Sequence, residues 1–405
     1  MNALQERLAR FFFSSRGLTL SISLSLLILL IYLIQMFGKA YRENGYDFTS
    51  YLLSSKAFFA GTNPYQTGSP FPFIYPLFLC VVLFPLASLP YWFSNAVWFS
   101  LNVSALYLST LVLLKLYFDS LSYKEITALF LVPFVILTNV VQNNLLNGQV
   151  NFIVLLLCVL CLKYFVESQK LLATVFLSAA ISIKLTPLIL IVYLIARREF
   201  LYVGLTLAFS IFLIFGLPYA IAGEKTILWY SQYIHSFLVR NIATDSVASD
   251  GFTFSITSMV SFLLPSMSKL LTLMIAGLIS ITPIAWVQFT SHRNVTSEQT
   301  LFFSLYMLVV PLISPMSETH HLISLFPATS IVTLAMLLHS KRHWQIGILT
   351  LTSVLLSLIA GKFCDAVAII AIMALYVSIL WLLFQQSERA TAYNNQNHDA
   401  PVVDR

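Results

Sequence analysis

The chain alternates long apolar runs with shorter polar interruptions. The first run covers residues 18–37, and the others follow between residues 73 and 384. Most of these runs approach the ~20 residues that a helix needs to cross a bilayer. They are continuous and do not alternate with period two, which favours helices over the strands of a membrane barrel. The pattern predicts an all-α polytopic membrane protein with about 12 transmembrane helices. The predicted spans are 18–37, 73–89, 91–117, 126–141, 148–166, 171–195, 200–221, 268–290, 300–314, 321–339, 345–361 and 366–384.

The first substantial polar interruption is the loop 38–72, which contains a helical pattern of its own. Two sets of side chains recur at helical spacing on opposite faces of residues 48–59. The pattern predicts a short amphipathic helix that lies flat in the membrane interface. Gly61 is expected to end this helix, and Asn63-Pro64 to form a turn. One face holds Phe48, Tyr51, Leu52, Ser55, Phe58 and Phe59, and the other holds Thr49, Ser50, Ser54 and Lys56.

Basic residues suggest how the spans are oriented. Arg7, Arg10 and Arg16 precede the first run, which indicates a cytoplasmic N-terminus because cytoplasmic ends carry the excess of Lys and Arg. Counting crossings from there puts the outer loops 38–72 and 222–253, and the short segment 314–321, on the exterior or periplasmic face of a cell (inner) membrane. We expect one integral membrane domain over residues 1–390 and a disordered cytoplasmic tail over 391–405.

Composition supports the membrane assignment and excludes other classes. Of the 405 residues, 59% are hydrophobic and 9% are charged, against about 25% charged in soluble domains. The net charge is +6, but there is no basic run of the kind that binds nucleic acid, so we expect no nucleic-acid partner. The four cysteines lie in or beside apolar runs, which is typical of packing residues and not of reactive thiols.

Four polar positions stand out as candidates for chemistry. Asp47 directly precedes the amphipathic helix, where a carboxylate commonly serves as a helix cap. Lys184 lies inside a predicted span, where a lysine usually faces a cavity or a partner charge; a buried ion pair, snorkelling and contact with an anionic lipid phosphate are all open. His320 and His321 form a pair that also fits an ordinary polar linker. With Glu318 alone beside them, we expect no metal site.

Several stretches together resemble glycosyltransferase family 87, in the same order along the chain. They are "YDFTSYLLSSKAFFAGTNPYQ", "FPFIYPLFLCVVLFPLASLP", "NGQVNFIVLLL", "ISIKLTPLILIVYLIARREF" and "SPMSETHHLISLFPA", which span roughly residues 40–330. The family consists of multi-spanning membrane enzymes and includes mycobacterial mannosyltransferases. The resemblance implies the GT-C type of glycosyltransferase fold, with interfacial helices in the first outer loop.

The resemblance also implies an activity and a set of residues. Such enzymes move a sugar from a polyprenyl-phosphate donor to an acceptor hydroxyl on a glycolipid or glycan at the outer face. The acidic residue of the first outer loop matches Asp47, the membrane lysine before a proline matches Lys184, and the histidine motif matches His320 and His321. Many relatives have an aromatic residue just before the histidine pair, where this chain has Thr319.

These residue types suit a direct displacement that needs no cofactor. A lipid phosphate leaves as an anion, so it requires positive charge or hydrogen-bond donors and no general acid. The acceptor hydroxyl requires a base, a role that the Asp47 carboxylate can fill, giving inversion at the sugar. His320 or His321 would hold the phosphate, with Lys184 and Arg240 as further candidates, and Asn63 would shape the loop or contact sugar. A nucleotide-sugar site is not evident, since the chain has no Gly-rich phosphate loop.

Two other classes of function remain open at this point. A transporter or flippase of lipid-linked sugars would explain many spans and a buried lysine. It predicts broken helices with polar residues in matching halves of the chain, whereas the polar residues here are expected to concentrate in outer loops. A polymerase or ligase of surface polysaccharide is the third alternative.

Overall fold

The computed structural model describes residues 15–41, 46–235, 255–264, 266–290, 295–314, 319–339 and 372–384. These residues form helices and connecting segments, and no strand occurs among them. In chain order the α-helices are α1 Ser15–Ala40, α2 Asp47–Phe59, α3 Phe78–Ala87, α4 Tyr91–Tyr117, α5 Tyr123–Leu129, α6 Leu131–Ile136, α7 Thr138–Asn147, α8 Asn151–Val166, α9 Lys170–Ile183, α10 Ile189–Ala196, α11 Phe200–Ile211, α12 Leu217–Ala222, α13 Lys225–Tyr233, α14 Ile256–Leu263, α15 Lys269–Thr290, α16 Thr296–Ile313, α17 Phe326–His339 and α18 Ile372–Phe384.

The described helices include four that are long and apolar enough to cross a membrane. They are Tyr91–Tyr117, Phe200–Ala222, Leu270–Phe289 and Thr296–Ile313, and a bent pair of helices over residues 123–147 would make a fifth. Each coincides with a span that the hydropathy pattern predicts. Shorter apolar helices occupy other predicted spans, while the predicted span 345–361 lies outside the described residues. The count of twelve therefore stays a prediction.

The surface of the helix assembly is apolar where soluble proteins are polar. Ile34 on α1 is 64% exposed and Trp286 on α15 is 70% exposed. Leu201 on α11 and Leu278 on α15 are similarly open. Large exposed apolar faces are stable in contact with lipid and not with water. The composition and these surfaces make the chain a membrane protein.

The centre of the assembly is formed by α8, α9, α4 and α16. Helix α8 packs against both α4 and α9, and α16 packs against α15 and α10. Serines let helices approach closely: Ser178 on α9 donates to the Thr206 carbonyl of α11 at 3.0 Å. Small polar residues of this kind are common where membrane helices meet. Cys80, Cys158 and Cys161 are buried free thiols in this packed core, as the sequence predicts.

The predicted span 171–195 is wrong as a single helix. Helix α9 ends at Ile183, Lys184 is extended with φ −147° and ψ 133°, and a short 3-10 helix over Thr186–Leu188 precedes α10. Pro187 explains part of the break, because its ring lacks an N–H and clashes with the carbonyl four residues earlier in a continuous helix. The break matters because a non-helical backbone at membrane depth is tolerated where it lines a cavity.

The predicted span 126–141 is also interrupted. The segment Tyr123–Ile136 and helix α7 meet at an angle of 84°. Helix α7 then ends at Asn147, and Gly148 adopts the left-handed conformation with φ +62°. This second break brings the polar stretch between α7 and α8 into the interior.

The first loop contains the predicted helix, but part of the face that was expected to be solvated is buried. Helix α2 runs from Asp47 to Phe59 and packs against α3. Ser50 and Ser54, which were expected on the solvated face, are fully buried. Ser54 donates to the Pro64 carbonyl at 2.8 Å, and Ser55 donates to the Cys80 carbonyl at 2.6 Å. Helix α2 therefore turns its serines into the protein, while Leu53 and Phe59 stay partly exposed, and its position relative to the membrane interface stays a prediction.

The predicted end of α2 is confirmed. Gly61 has φ +71° and its N–H donates to the Phe58 carbonyl, while the Thr62 N–H donates to the Ala57 carbonyl. This pair of bonds is the glycine-dependent Schellman ending of a helix. The chain then turns at Asn63, whose side-chain oxygen accepts from the Tyr65 N–H at 3.0 Å.

Candidate active site

The site is built around the junction between α7 and α8. Gly148 lies against α2: a Cβ atom at this position would stand 2.6 Å from the Phe48 Cβ. The Phe48 ring stacks on Trp98 with centroids 5.1 Å apart, and the Trp98 indole N–H donates to the Gly148 carbonyl at 2.7 Å. A residue without a side chain thus lets the α7–α8 junction touch the start of α2.

Asp47 is held by the residue that follows this glycine. The Gln149 amide Nε2 donates to Asp47 Oδ2 at 2.5 Å. Asp47 is the first residue of α2, and the N-cap position belongs to Tyr46. The expectation that Asp47 occupies the cap position is therefore wrong. A carboxylate in the first turn still benefits from the positive end of the helix dipole.

Two tyrosines converge on the other end of the same amide. The hydroxyls of Tyr51 and Tyr75 lie 3.2 and 3.1 Å from Gln149 Oε1, and 2.9 Å from each other. Burial, followed by Tyr75 and Asp47, raises the pKa of Tyr51 well above its ordinary value. The hydroxyl therefore stays protonated and available as a donor.

Lys184 lies on the far side of Tyr75. Its ammonium nitrogen is 5.7 Å from the centre of the Tyr75 ring, a cation–π distance. The same nitrogen donates to Asn151 Oδ1 at 2.7 Å. Because Lys184 follows the end of α9 in an extended conformation, the helix break directs its side chain towards the α7–α8 junction.

Asn151 joins Lys184 to the histidine segment. Its amide donates to Asn144 Oδ1 at 2.8 Å and to the His320 carbonyl at 3.2 Å, and Asn144 donates to the same carbonyl at 3.0 Å. His320 belongs to a 3-10 helix over Thr319–Leu325. The result is one polar network within the apolar assembly. We define the polar network as Asp47, Tyr51, Tyr75, Asn144, Gln149, Asn151, Lys184 and His320.

A small cavity opens beside this network. Polar groups and apolar side chains both line it, which suits a ligand with a charged head and an apolar body. Its polar lining comes from three separate parts of the chain. The lining residues are Asn151, Val154, Leu155, Lys184, Thr186, Pro187, Met307, Val310, His321, Ile323 and Ser324.

The two histidines have different surroundings. His321 lines the cavity with Lys184, whereas His320 is buried and its backbone carbonyl is bound by Asn144 and Asn151. Burial and, to a smaller extent, the Lys184 ammonium lower the pKa of His320 to about 3. His320 is therefore neutral at physiological pH, and Lys184 supplies the positive charge beside the cavity.

Asn63 belongs to a second set of contacts, which meets the polar network where the Tyr65 hydroxyl donates to the Tyr75 carbonyl at 3.1 Å. The Asn63 amide donates to Gln232 Oε1 at 2.5 Å, and Tyr65 stacks on Tyr233 with centroids 4.7 Å apart. Tyr233 donates to the Ile74 carbonyl at 2.9 Å. These contacts fasten the first loop to α13. We define the loop anchor as Gly61, Asn63, Tyr65, Lys225, Gln232 and Tyr233.

The remaining predictions concern residues beyond the described ranges. Arg240, Asp245 and Glu318 lie outside the described residues, so the binding role expected of Arg240 stays a prediction. Within the described residues, no three of the His, Cys, Asp and Glu side chains are grouped to hold a metal ion. The absence of a metal site stays a prediction.

Sequence reasoning missed the amides that connect the site. Asn144, Gln149 and Asn151 are buried, with exposed fractions of 1, 1 and 5%. The signal for them was present in the run "VVQNNLLNGQVN", where six amide side chains interrupt apolar sequence. We expected the polar residues to concentrate in the outer loops. The structure shows that polar residues also line the helix breaks.

The apolar helix assembly, with a carboxylate and an ammonium joined by a buried polar network, defines an integral membrane protein with an enzyme-like site. The sequence model of glycosyltransferase family 87 matches residues 73–315, more than half of the chain, and the chain belongs to this family. The protein is thus a membrane glycosyltransferase. The family match favours this function over that of a transporter.

The family match covers part of the polar network. It includes Tyr75, Gln149 and Lys184, while Asp47 precedes it and His320 follows it. No curated protein and no solved structure matches the chain significantly. The roles of Asp47 and the histidines therefore depend on the geometry of the site.

Proposed function

We propose that this glycosyltransferase moves a hexose such as mannose from a polyprenyl-phosphate donor to an acceptor hydroxyl of a glycolipid or glycan. The observation that carries the proposal is the joining of Asp47 to the Lys184 region through Gln149 and Tyr75. A transferase of this type needs a base for the acceptor and a cation for the leaving phosphate, and the polar network supplies both.

The proposed reaction is a single displacement. The acceptor oxygen attacks the anomeric carbon while Asp47 takes its proton, and the bond from that carbon to the phosphate oxygen breaks. The polyprenyl phosphate leaves as an anion and the anomeric configuration is inverted. Lys184 neutralises the departing phosphate, and His321, which shares the cavity with Lys184, donates a hydrogen bond to it.

The residues that line the cavity support a lipid-linked donor. The polar lining residues include Lys184, Thr186 and His321, and the apolar lining residues include Val154 and Met307. In this proposal the donor phosphate binds at Lys184, and the polyprenyl chain contacts apolar side chains. We further propose the GT-C type of fold, a cytoplasmic N-terminus and an active site on the periplasmic or outer face.

His320 and Asn63 receive supporting roles in this proposal. The neutral His320 contributes its carbonyl to the amides of Asn144 and Asn151, and so helps to fix Asn151 beside Lys184. Asn63 orients the first loop through its turn and its bond to Gln232. Neither needs to contact the sugar for the mechanism to operate.

The test is the Asp47→Asn variant in purified protein or membranes, supplied with a panel of radiolabelled polyprenyl-phosphate hexoses. Asparagine keeps the size of the side chain but cannot accept the proton, so we expect transfer to fall by about 10²–10⁴-fold. Expression, membrane insertion and melting temperature are expected to stay close to wild type. Turnover near the wild-type rate in Asp47→Asn would overturn the base assignment.

The same assay separates a transferase from a carrier of lipid-linked sugars. The broken helix at Lys184 is a feature that a carrier would also require. Covalent transfer of label to a discrete product supports the transferase. Movement of the labelled lipid between leaflets without a product would contradict the proposed donor and acceptor chemistry.

A further inference from the structure

Gln149 is a buried amide at the centre of the polar network, in contact with Asp47 and two tyrosines. The residue is only 1% exposed, and its side chain is in hydrogen-bond contact with three other side chains. A buried amide in an apolar assembly must satisfy both its donors and its acceptor. The direction in which this amide points therefore decides whether Asp47 meets a donor or an acceptor.

The two tyrosines decide that direction. One hydroxyl hydrogen on each of Tyr51 and Tyr75 is available, and each hydroxyl is in reach of Gln149 Oε1. If Tyr51 donates to Tyr75 instead, Tyr75 still donates to Gln149, so Oε1 receives a hydrogen either way. The amide nitrogen is then left facing Asp47.

The opposite orientation of the amide is unfavourable. Rotating it by half a turn would set Gln149 Oε1 against the ionised Asp47 carboxylate, so that two acceptors face each other without a hydrogen between them. The Tyr51 and Tyr75 hydroxyls would have to turn their hydrogens away from the amide. The arrangement observed is the one that gives the carboxylate a donor.

We infer that Gln149 is a positioning residue for Asp47, oriented by Tyr51 and Tyr75 so that its N–H holds the carboxylate ionised and aimed at the acceptor. This inference rests on the proposed function of Asp47 as base. It adds that a neutral amide, oriented by two tyrosine hydroxyls, contributes to the pH at which Asp47 loses its proton.

The titratable groups around this contact come from several elements. Tyr51 on α2 and Tyr75 before α3 lie directly behind the amide. The charged Lys184 lies beyond the Tyr75 ring, and His320, which is neutral, lies beyond the Asn144 and Asn151 amides. Because Tyr51 and His320 keep their protonation state near neutral pH, and the pKa of His320 is lowered to about 3, we assign an acid limb above that value to Asp47.

Loss of the Gln149 hydrogen bond is expected to raise the pKa of Asp47. A donated hydrogen bond favours the carboxylate over the carboxylic acid. Removing the donor lets Asp47 protonate at higher pH, so the acid limb of the pH profile of kcat/KM moves upward. A single hydrogen bond to a charged group corresponds to a shift of about one pH unit.

The test compares wild type with Gln149→Met and with the double variant Tyr51→Phe, Tyr75→Phe. In Gln149→Met the acid limb is expected about one unit higher. In the double variant the amide is free to rotate, so a smaller shift in the same direction is expected. Gln149→Glu sets a second carboxylate beside Asp47 and should give the largest upward shift.

The matched control is Gln299→Met. Gln299 is also a buried amide that accepts from a buried tyrosine, Tyr193, at 3.0 Å, but it lies on α16 outside the polar network. We expect the acid limb of the pH profile of kcat/KM in Gln299→Met to coincide with that of wild type, even if the variant is less stable. An equal shift in Gln299→Met and Gln149→Met would assign the effect to general loosening and overturn the inference.

A spectroscopic readout keeps the inference testable without turnover. Infrared titration of the purified protein follows the carbonyl stretch of protonated carboxyl groups. The signal that is present in wild type and absent from the spectra of Asp47→Asn belongs to Asp47. In Gln149→Met this signal should appear at higher pH than in wild type, and an unchanged titration would refute the positioning role. If Asp47→Asn keeps full activity while Gln149→Met shifts the titration, the base assignment fails and the positioning contact stands.

Discussion

The polar network and the loop anchor both tie the first loop to distant parts of the chain, but they use their hydrogen bonds differently. In the loop anchor, Tyr233 donates to the Ile74 carbonyl and Lys225 to the Gly61 carbonyl. In the polar network, Gln149 donates to Asp47 and Lys184 donates to Asn151, and Lys184 and Asn151 line the cavity. The loop anchor holds the first loop against α13, whereas the polar network sets the charged Lys184 at a cavity that a ligand can enter.

Hydrogen-bond partners distinguish candidate functional residues from structural residues better than burial does. The network tyrosine Tyr51 and the anchor tyrosine Tyr233 are both buried, with exposed fractions of 1 and 6%. Burial alone would assign both to the core. Their partners distinguish them, since Tyr51 reaches the amide that holds Asp47 and Tyr233 reaches the backbone carbonyl of Ile74.

The largest effect is expected from Lys184→Met, which keeps the length of the side chain and removes its charge. Because Lys184 is the cation beside the cavity, transfer from the polyprenyl-phosphate donor should fall by about 10²-fold or more. The measurement is kcat/KM for the labelled donor, together with the melting temperature. A large fall in melting temperature with unchanged donor use would instead favour the buried ion pair that the sequence left open.

The control for Lys184→Met is Lys170→Met at the start of α9. Lys170 pairs with Glu199 at 2.6 Å at the opposite end of this helix, away from the cavity. Its ion pair is partly exposed and should contribute less than about 1 kcal/mol to stability. Donor use is expected to stay within about two-fold of wild type.

Gly148→Ala tests the contact on which the polar network is built. Alanine must adopt φ +62° and bring its Cβ to within 2.6 Å of the Phe48 Cβ. We expect the free energy of unfolding to fall by about 2–4 kcal/mol, from the left-handed backbone and the overpacking together. Activity should fall as well, because Gln149 is displaced from Asp47.

Gly204→Ala is the matched change at a site without these constraints. Gly204 lies within α11 and a Cβ there meets no atom within 4 Å. Alanine favours the helix by up to about 1 kcal/mol, so stability should be unchanged or improved. If thermal melts of Gly148→Ala and Gly204→Ala coincide, the close approach of α2 to Gly148 is not required for the fold.

The smallest effect is expected from Tyr233→Phe in the loop anchor. The variant loses the hydroxyl that binds the Ile74 carbonyl but keeps the ring that stacks on Tyr65. Stability should fall by about 1 kcal/mol, the usual loss for one hydrogen bond, with kcat/KM nearly unchanged. Tyr219→Phe on the exposed side of α12 serves as the control.

This last variant also tests the comparison itself. If transfer in Tyr233→Phe drops as far as in Lys184→Met, the loop anchor belongs to the active site and the distinction between the two regions is lost. If only the melting temperature changes, the distinction is supported.

Hydropathy alone predicted the helical membrane character and four spans that the described residues contain. The local sequence also predicted the end of α2 at Gly61 and the turn at Asn63, because glycine conformation and the bond from an asparagine side chain to nearby backbone are local properties. The candidate residues Asp47 and Lys184 were found the same way, since a charge in or near apolar sequence is conspicuous.

Only the tertiary structure decided which of these residues meet. Gln149 binds Asp47 across 102 positions of sequence, and Asn144 binds the His320 carbonyl across 176. Hydropathy averages over neighbours along the chain and carries no information about such pairs. It also smooths over helix breaks, so the extended Lys184 and the bend before α7 appear as continuous apolar runs.

The setting of α2 shows the physical reason most clearly. Its sequence is amphipathic, and an isolated helix of this kind would lie at an interface. In the fold, Ser54 and Ser55 bind the Pro64 and Cys80 carbonyls, so these hydroxyls are satisfied inside the protein. The sequence determines which groups must find partners, and the packing of distant helices determines whether those partners are water, lipid headgroups or the protein itself.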